Sequence, residues 1–262
     1  MKAVASTLVL TAALACLGQT PLAFRSSVEL VTVPCAVVDG QGAPVRGLTR
    51  EDFRVFDNGT RRVVEHLWVD ADQPLTLAVL IDASESQREK LAEHRQTASN
   101  LWERLRKAGD RTFTVSIGDL GTSPLWDGIY GVAHTDLQPA AGNKALLILT
   151  DGFDVGSAHS WKQAADAAHQ AGAAVYAIQY PSSLGGSYAP DLYRLVEEAG
   201  GVTFRPPRGN LDEIVSRLET DLRNRYVLGF RPEKLSGKQR HEVRVEVTRP
   251  ELSVRARKTY FE

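Results

Sequence analysis

The run Leu75-Thr76-Leu77-Ala78-Val79-Leu80-Ile81 ends in Asp82-Ala83-Ser84-Glu85-Ser86. A nearly unbroken apolar stretch that turns abruptly acidic and hydroxylated reads as a strand buried on both faces, with polar groups delivered at its carboxyl end. Residues 145–149 repeat the pattern and close on Thr150-Asp151-Gly152, and residues 173–178 form a third such run. Between these lie stretches of helical spacing at 85–107, 161–170 and 190–199, stopped by Gly109, Gly172 and Gly200. Strand and helix in alternation place the chain in the α/β class, as a doubly wound, mostly parallel, Rossmann-like sheet flanked by helices.

Outward from this core the periodicity changes. Residues 28–38 alternate and end in the turn Asp39-Gly40-Gln41-Gly42, which reads as a strand entering a hairpin. Thr49-Arg50-Glu51-Asp52 reads as a one-turn helical cap. Asp57-Asn58-Gly59 then joins residues 53–56 to a strand over 61–69. Beyond an amphipathic helix that starts at Asn210, strands are expected at 226–230, 241–248 and 252–260 with no helices between them. The simplest arrangement pairs these with the N-terminal strands in a small β module. The organisation expected is thus a leader over 1–23, an N-terminal β segment over 24–72, the α/β domain over 73–223 and a C-terminal β segment over 224–262.

Composition narrows the class. Of 262 residues, 43% are hydrophobic and 24% charged, which disfavours disorder, collagen-like repeats and coiled coil. Lys plus Arg at 31 against Asp plus Glu at 32 supplies no excess of basic charge for nucleic acid. Lys2 followed by the apolar run 3–17, with Ala13-Leu14-Ala15 near its end, has the pattern of a secretory signal and is too short to span a bilayer. Export to the periplasm, cell envelope or medium is therefore expected, with no transmembrane span. Cys16 directly after Ala15 raises a lipid anchor as the alternative to plain cleavage. Cys35 lies in an apolar strand and reads as a small buried hydrophobe.

The chemistry gathers at one sheet edge. In an open α/β sheet the carboxyl ends of the strands form the ligand crevice, so Asp82, Ser84, Ser86 and Asp151 face one place, with Thr122 on an intervening loop. Two carboxylates and three hydroxyls, without histidine or thiolate, form an all-oxygen set suited to a hard divalent cation: magnesium first, manganese or calcium otherwise. The alternative is ordinary local structure, in which Ser84 or Ser86 caps the following helix and Asp151 heads a turn with Gly152.

Asp82-x-Ser84-x-Ser86, Thr122 and Thr150-Asp151-Gly152 resemble the metal-ion-dependent adhesion site of von Willebrand factor type A domains. The flanks 75–86, 121–130 and 147–156, an opening segment over 37–59 and a closing one over 226–230 and 254–260 are similar to a bacterial family of exported proteins related to that domain. The resemblance implies that Ser84 and Ser86 coordinate the ion directly and Thr122 directly or through water. Asp82 and Asp151 would hold coordinating waters or bind the metal, and the remaining position would accept an acidic side chain from a partner protein. Two departures stand out. Glu85 occupies a position commonly glycine, and only a few residues separate the strand over 113–117 from Thr122, where the family usually places a further strand and helix.

Other motifs carry less. The six histidines form no close pair on one helix face, and there is no Gly-x-Ser-x-Gly elbow. Residues 182–187 are rich in glycine and serine but lack the lysine of a phosphate loop, and Arg205-Pro206-Pro207-Arg208 is an isolated basic turn. Besides a non-enzymatic, metal-dependent binding module, two readings stay open. One is an interaction scaffold of the same fold with a degenerate site, and the other a magnesium-dependent phosphate-handling enzyme.

Overall fold

A computed structural model of the chain describes residues 30–69, 73–183, 185, 189–205, 211–232 and 240–261. The expected leader, Cys16 and the helix start at Asn210 lie outside the described residues, as does part of the loop over 182–187. In chain order the strands and helices begin with β1 (Val31–Val38), β2 (Phe53–Asp57), β3 (Thr60–Arg62) and β4 (His66–Val69). The α/β portion follows: β5 (Leu75–Asp82), α1 (Leu91–Leu105), β6 (Arg111–Ile117), α2 (Leu125–Gly131), β7 (Asn143–Thr150) and α3 (Trp161–Ala171). It continues with β8 (Ala173–Gln179), α4 (Pro190–Glu198), β9 (Thr203–Phe204) and α5 (Leu211–Arg223). The chain closes with β10 (Arg225–Phe230), β11 (Arg240–Val247), β12 (Ser253–Ala256) and β13 (Thr259–Phe261).

The central sheet is parallel throughout and runs β6-β5-β7-β8-β9. Every residue of β5 is buried, which explains why its sequence shows no alternation. One face of the sheet packs Ala78, Leu80, Leu146, Ile148 and Val175 against α2, α3 and α4. The other packs Leu77, Val79, Leu147, Leu149 and Ile178 against α1 and α5. The fold is therefore the expected Rossmann-like, doubly wound α/β architecture with smaller antiparallel sheets. The expected stop holds, since Gly172 ends α3 in the left-handed region at φ 68°, and a capping box of Ser160 and Gln163, which the sequence reading did not single out, starts it. The chain passes directly from β6 to a short loop and α2, so the sheet carries no further strand beside β6 among the described residues.

The remaining strands form two four-stranded sheets, β12-β1-β10-β4 and β13-β11-β2-β3. Val33, Cys35, Phe53, Val55, Leu228, Phe230, Val243 and Tyr260 fill the space between them. Three local expectations are corrected here. β1 does not enter a regular hairpin: after the turn, in which Asp39 Oδ1 accepts from Gln41 N and Ala43 N at 2.9 Å each, the return is the single Val38–Pro44 bridge. Its ladder partners come instead from the far end of the chain, with Val31 opposite Phe230 and Cys35 opposite Ala256. The stretches 61–69 and 252–260 are each two strands, because the chain crosses from one sheet to the other at the sandwich edge. The Asn58-Gly59 turn does form its hairpin, with φ of 46° and 80° and Asp57 opposite Thr60.

Candidate metal centre

β5 and β7 are neighbours, and the connections leave their carboxyl ends toward opposite faces of the sheet, so a crevice opens between the two loops. β5 delivers Asp82, and the loop beyond it delivers Ser84 and Ser86 within a 3-10 turn over Glu85–Lys90 that precedes α1. Ser84 occupies the N-cap position, yet its side chain makes no capping bond. Its Oγ instead lies 3.2 Å from Ser86 Oγ. Ser86 Oγ donates to Asp151 Oδ2 at 2.6 Å. Four of the five expected residues are thereby joined around one point: Ser84, Ser86 and Asp151 by contact, and Asp82 through the Ser84 amide, which donates to its Oδ1 at 3.0 Å.

Asp82 is fully buried. Its Oδ2 accepts from Thr150 Oγ1 at 2.6 Å, and Ser123 Oγ stands 3.4 Å from both carboxylate oxygens. Burial pushes this carboxyl above its ordinary range, its hydrogen bonds to Ser84 and Thr150 pull the other way, and the charge of Asp151 adds to the rise. Asp151 is also buried and is fixed by Gln87 Nε2, which donates to its Oδ2 at 3.0 Å, while Phe153 N donates to Oδ1 at 3.2 Å. Among the described residues neither aspartate forms an ion pair. Below them His94 packs on Tyr180 at 4.3 Å with its pKa held down to about 4, chiefly by burial, so it contributes no positive charge at neutral pH.

Thr122 lies at the mouth of the same crevice, exposed, with its hydroxyl donating to Asp119 Oδ1 at 2.6 Å. The hydroxyl that approaches Asp82 is that of its neighbour Ser123, held by reciprocal backbone bonds with Val155 at 3.0 and 2.8 Å. Sequence reasoning did not single out Ser123 or Gln87. A Thr-Ser pair on a loop does not reveal which hydroxyl turns inward, and a glutamine at the start of a helix carries no motif. Gly118 closes the floor at φ +82°, where a Cβ would stand 2.8 Å from Thr122 O and 3.1 Å from Ser84 N. Glu85 is exposed at the rim beside Phe153 and Val155, around a cavity of about 310 Å³.

The donor set fits a small hard cation. A magnesium–oxygen distance of about 2.1 Å places adjacent ligand oxygens in an octahedron about 3 Å apart. The spacings of 3.2 Å between the two serine oxygens and 2.6 Å between Ser86 Oγ and Asp151 Oδ2 bracket that edge. Among the described residues no three His, Cys, Asp or Glu side chains converge, so hydroxyls must make up much of any protein shell.

No family model matches the sequence, and no curated protein matches it. Solved structures similar to it include an aerotolerance-related membrane protein from Bacteroides fragilis, at 12% identity and a TM-score of 0.42 over 56% of this chain and 98% of that one. The pilus adhesin SpaC of Lactobacillus rhamnosus GG aligns at 7% identity and a TM-score of 0.43, over 87% of this chain and 47% of the adhesin. The manganese-loaded TRAP protein of Plasmodium vivax aligns at 12% identity and a TM-score of 0.40, over 78% of this chain and 97% of that one.

Proposed function

We propose that this chain is an exported, non-enzymatic protein-binding module of the von Willebrand factor A type, which captures an acidic side chain of a partner through a divalent cation. Asp82, Ser84, Ser86 and Asp151 would hold the ion, with Thr122 at the mouth and Ser123 supporting Asp82. The ion would supply the Lewis acidity that binds a carboxylate, and magnesium or manganese suits the oxygen donors. The observation that carries this reading is electrostatic. Asp151 lines the crevice and Asp82 is buried behind Ser84 and Ser123, which also line it, with no ion-pair partner for either carboxylate among the described residues, an arrangement that a cation held between them would relieve.

Among the described residues lining the cavity there is no Lys, Arg or His, so it offers neither a general base of that kind nor a side chain to neutralise a transferred phosphate. Binding chemistry is therefore favoured over phosphoryl transfer. One observation favours the metal-independent scaffold: the Glu85 carboxylate stands at the mouth where a partner's acid would approach. No helix among the described residues is long and apolar enough to cross a membrane.

The test is thermal unfolding of the purified protein in magnesium and manganese titrations, with Ser86→Ala and Asp151→Ala beside wild type. At a hundredfold excess over Kd the ion stabilises the native state by about 2.7 kcal/mol. Wild type shifts upward and both variants do not. Absence of any shift in wild type overturns the metal reading and leaves the scaffold, whereas phosphatase turnover lost in Asp151→Ala promotes the enzyme.

A further inference from the structure

β6 is an unguarded sheet edge. Among the described residues its only strand neighbour is β5, paired over all seven positions from Arg111 to Ile117. Ile117 O accepts from Ala83 N at 2.7 Å, so Ile117 directs its backbone toward β5, as do Val115 and Phe113 by alternation. The N–H and C=O groups of Thr112, Thr114 and Ser116 therefore point away from the sheet, and among the described residues no other backbone group meets them. Natural sheets protect such edges by shortness, proline, a bulge or a charge. The opposite edge obeys, since β9 has only two residues. β6 has seven, with no proline, no glycine and no charge after Arg111.

We propose that β6 pairs with β6 of a second copy of this chain, antiparallel about a two-fold axis at Thr114, joining two central sheets into one. Only an extended strand satisfies outward groups repeating at every second residue, and this strand complements itself. In the register centred on Thr114, Thr114 meets the partner's Thr114 and Thr112 meets the partner's Ser116. All are hydrogen-bonded positions, giving about six backbone bonds. A slip of one residue sets outward groups against inward ones, and a slip of two leaves part of the row unmatched. The intervening non-hydrogen-bonded positions bring Phe113 against the partner's Val115, an aromatic and β-branched pair of the kind that stabilises sheets. Both side chains are half-buried against the apolar cluster under α2, and pairing completes their cover. The contact is isologous and closes at two copies. Because the paired strands run antiparallel, the two candidate metal centres lie at opposite ends of the joined sheet, so the dimer presents two binding sites facing apart.

Sedimentation velocity over two decades of protein concentration tests this, with Thr114→Pro and Thr114→Lys. Proline removes an N–H that the single chain leaves unused, and lysine places an ammonium opposite its own copy. Wild type sediments as a dimer. Both variants sediment as monomers with wild-type circular dichroism, and Thr114→Lys alone decides if the proline variant loses that spectrum. A wild-type monomer throughout, or a dimer that Thr114→Lys leaves intact, overturns the proposal. Neither outcome depends on metal binding, so its failure is separate from that of the proposed function.

Discussion

Acidification should weaken this fold through one identifiable side chain. His169 on α3 is buried where the α/β unit meets the sandwich. Its Nε2 lies 2.9 Å from the carbonyl oxygen of Glu198 at the end of α4, and its Nδ1 lies 2.8 Å from Thr259 Oγ1 on β13. A carbonyl oxygen only accepts, so Nε2 carries the hydrogen and Nδ1 receives one from Thr259, and a single neutral tautomer satisfies both. Burial opposes a second proton most strongly. The Glu198 carbonyl favours it, the Arg257 and Arg240 guanidiniums oppose it, and the pKa falls from 6.5 to about 4. The unfolded chain takes up its proton first. The stability carried by neutral His169 is therefore fully present above the unfolded pKa near 6.5 and is lost as the pH falls toward about 4. The whole loss amounts to about 3 kcal/mol. Urea unfolding at fixed ionic strength, from about pH 7.5 to about pH 4.5, measures it against His169→Gln, which does not titrate there. Asp82, Asp166 and Asp221, whose carboxyls burial raises, act with the opposite sign in both proteins and cancel in the difference. The wild-type advantage at neutral pH shrinks toward the acid end. Curves that stay parallel across the window refute the reasoning.

Two further substitutions probe the frame of the site. Asp110 accepts from Leu75 N at 2.8 Å and Lys107 N at 2.6 Å and pairs with Arg223, the two side chains being 1% and 7% exposed. Asp110→Ala strands a buried guanidinium and should cost about 3–5 kcal/mol in denaturant unfolding, with Asp110→Asn recovering part of the loss. Gly118→Ala forces a Cβ into the backbone of Thr122 and Ser84 at positive φ. It should lower stability by about 1–3 kcal/mol and abolish the cation-dependent rise in Tm, and an undiminished rise would show that this loop does not shape the centre.

The parts of the fold legible in the sequence are those whose cause is local. The continuous apolar runs of β5 and β7 follow from burial on both faces, and the cap at Thr49 follows from a partner three residues away. At Thr49 both the amide and the hydroxyl reach Asp52 Oδ2, at 2.8 and 3.2 Å. Asp82, Ser84, Ser86 and Asp151 were visible because strand ends in such a sheet converge whatever the loops do. What the residues do not reveal is which sheet a half-buried strand joins. Residues 61–69 alternate acceptably, yet the chain leaves one ladder after Arg62 and enters another at His66. β9, two residues long, has no periodicity to read. Ser123 and Gln87 acquire their roles from segments that meet only in the folded chain, as do Arg255 on β12 and Asp221 on α5, which form an ion pair.

The interleaving of the two chain ends in the sandwich also decides how the molecule carries load. Tension applied between residues 31 and 261 enters through β1 and leaves through β13, strands of opposing sheets that share one apolar core. The whole α/β unit hangs between β4 and β10, which are themselves hydrogen-bonded from His66 to Val69 against Tyr226 to Gly229. That ladder short-circuits the force path. The sandwich bears a pull first, and the crevice at Asp82 and Asp151 keeps its shape until the clasp beneath it gives way.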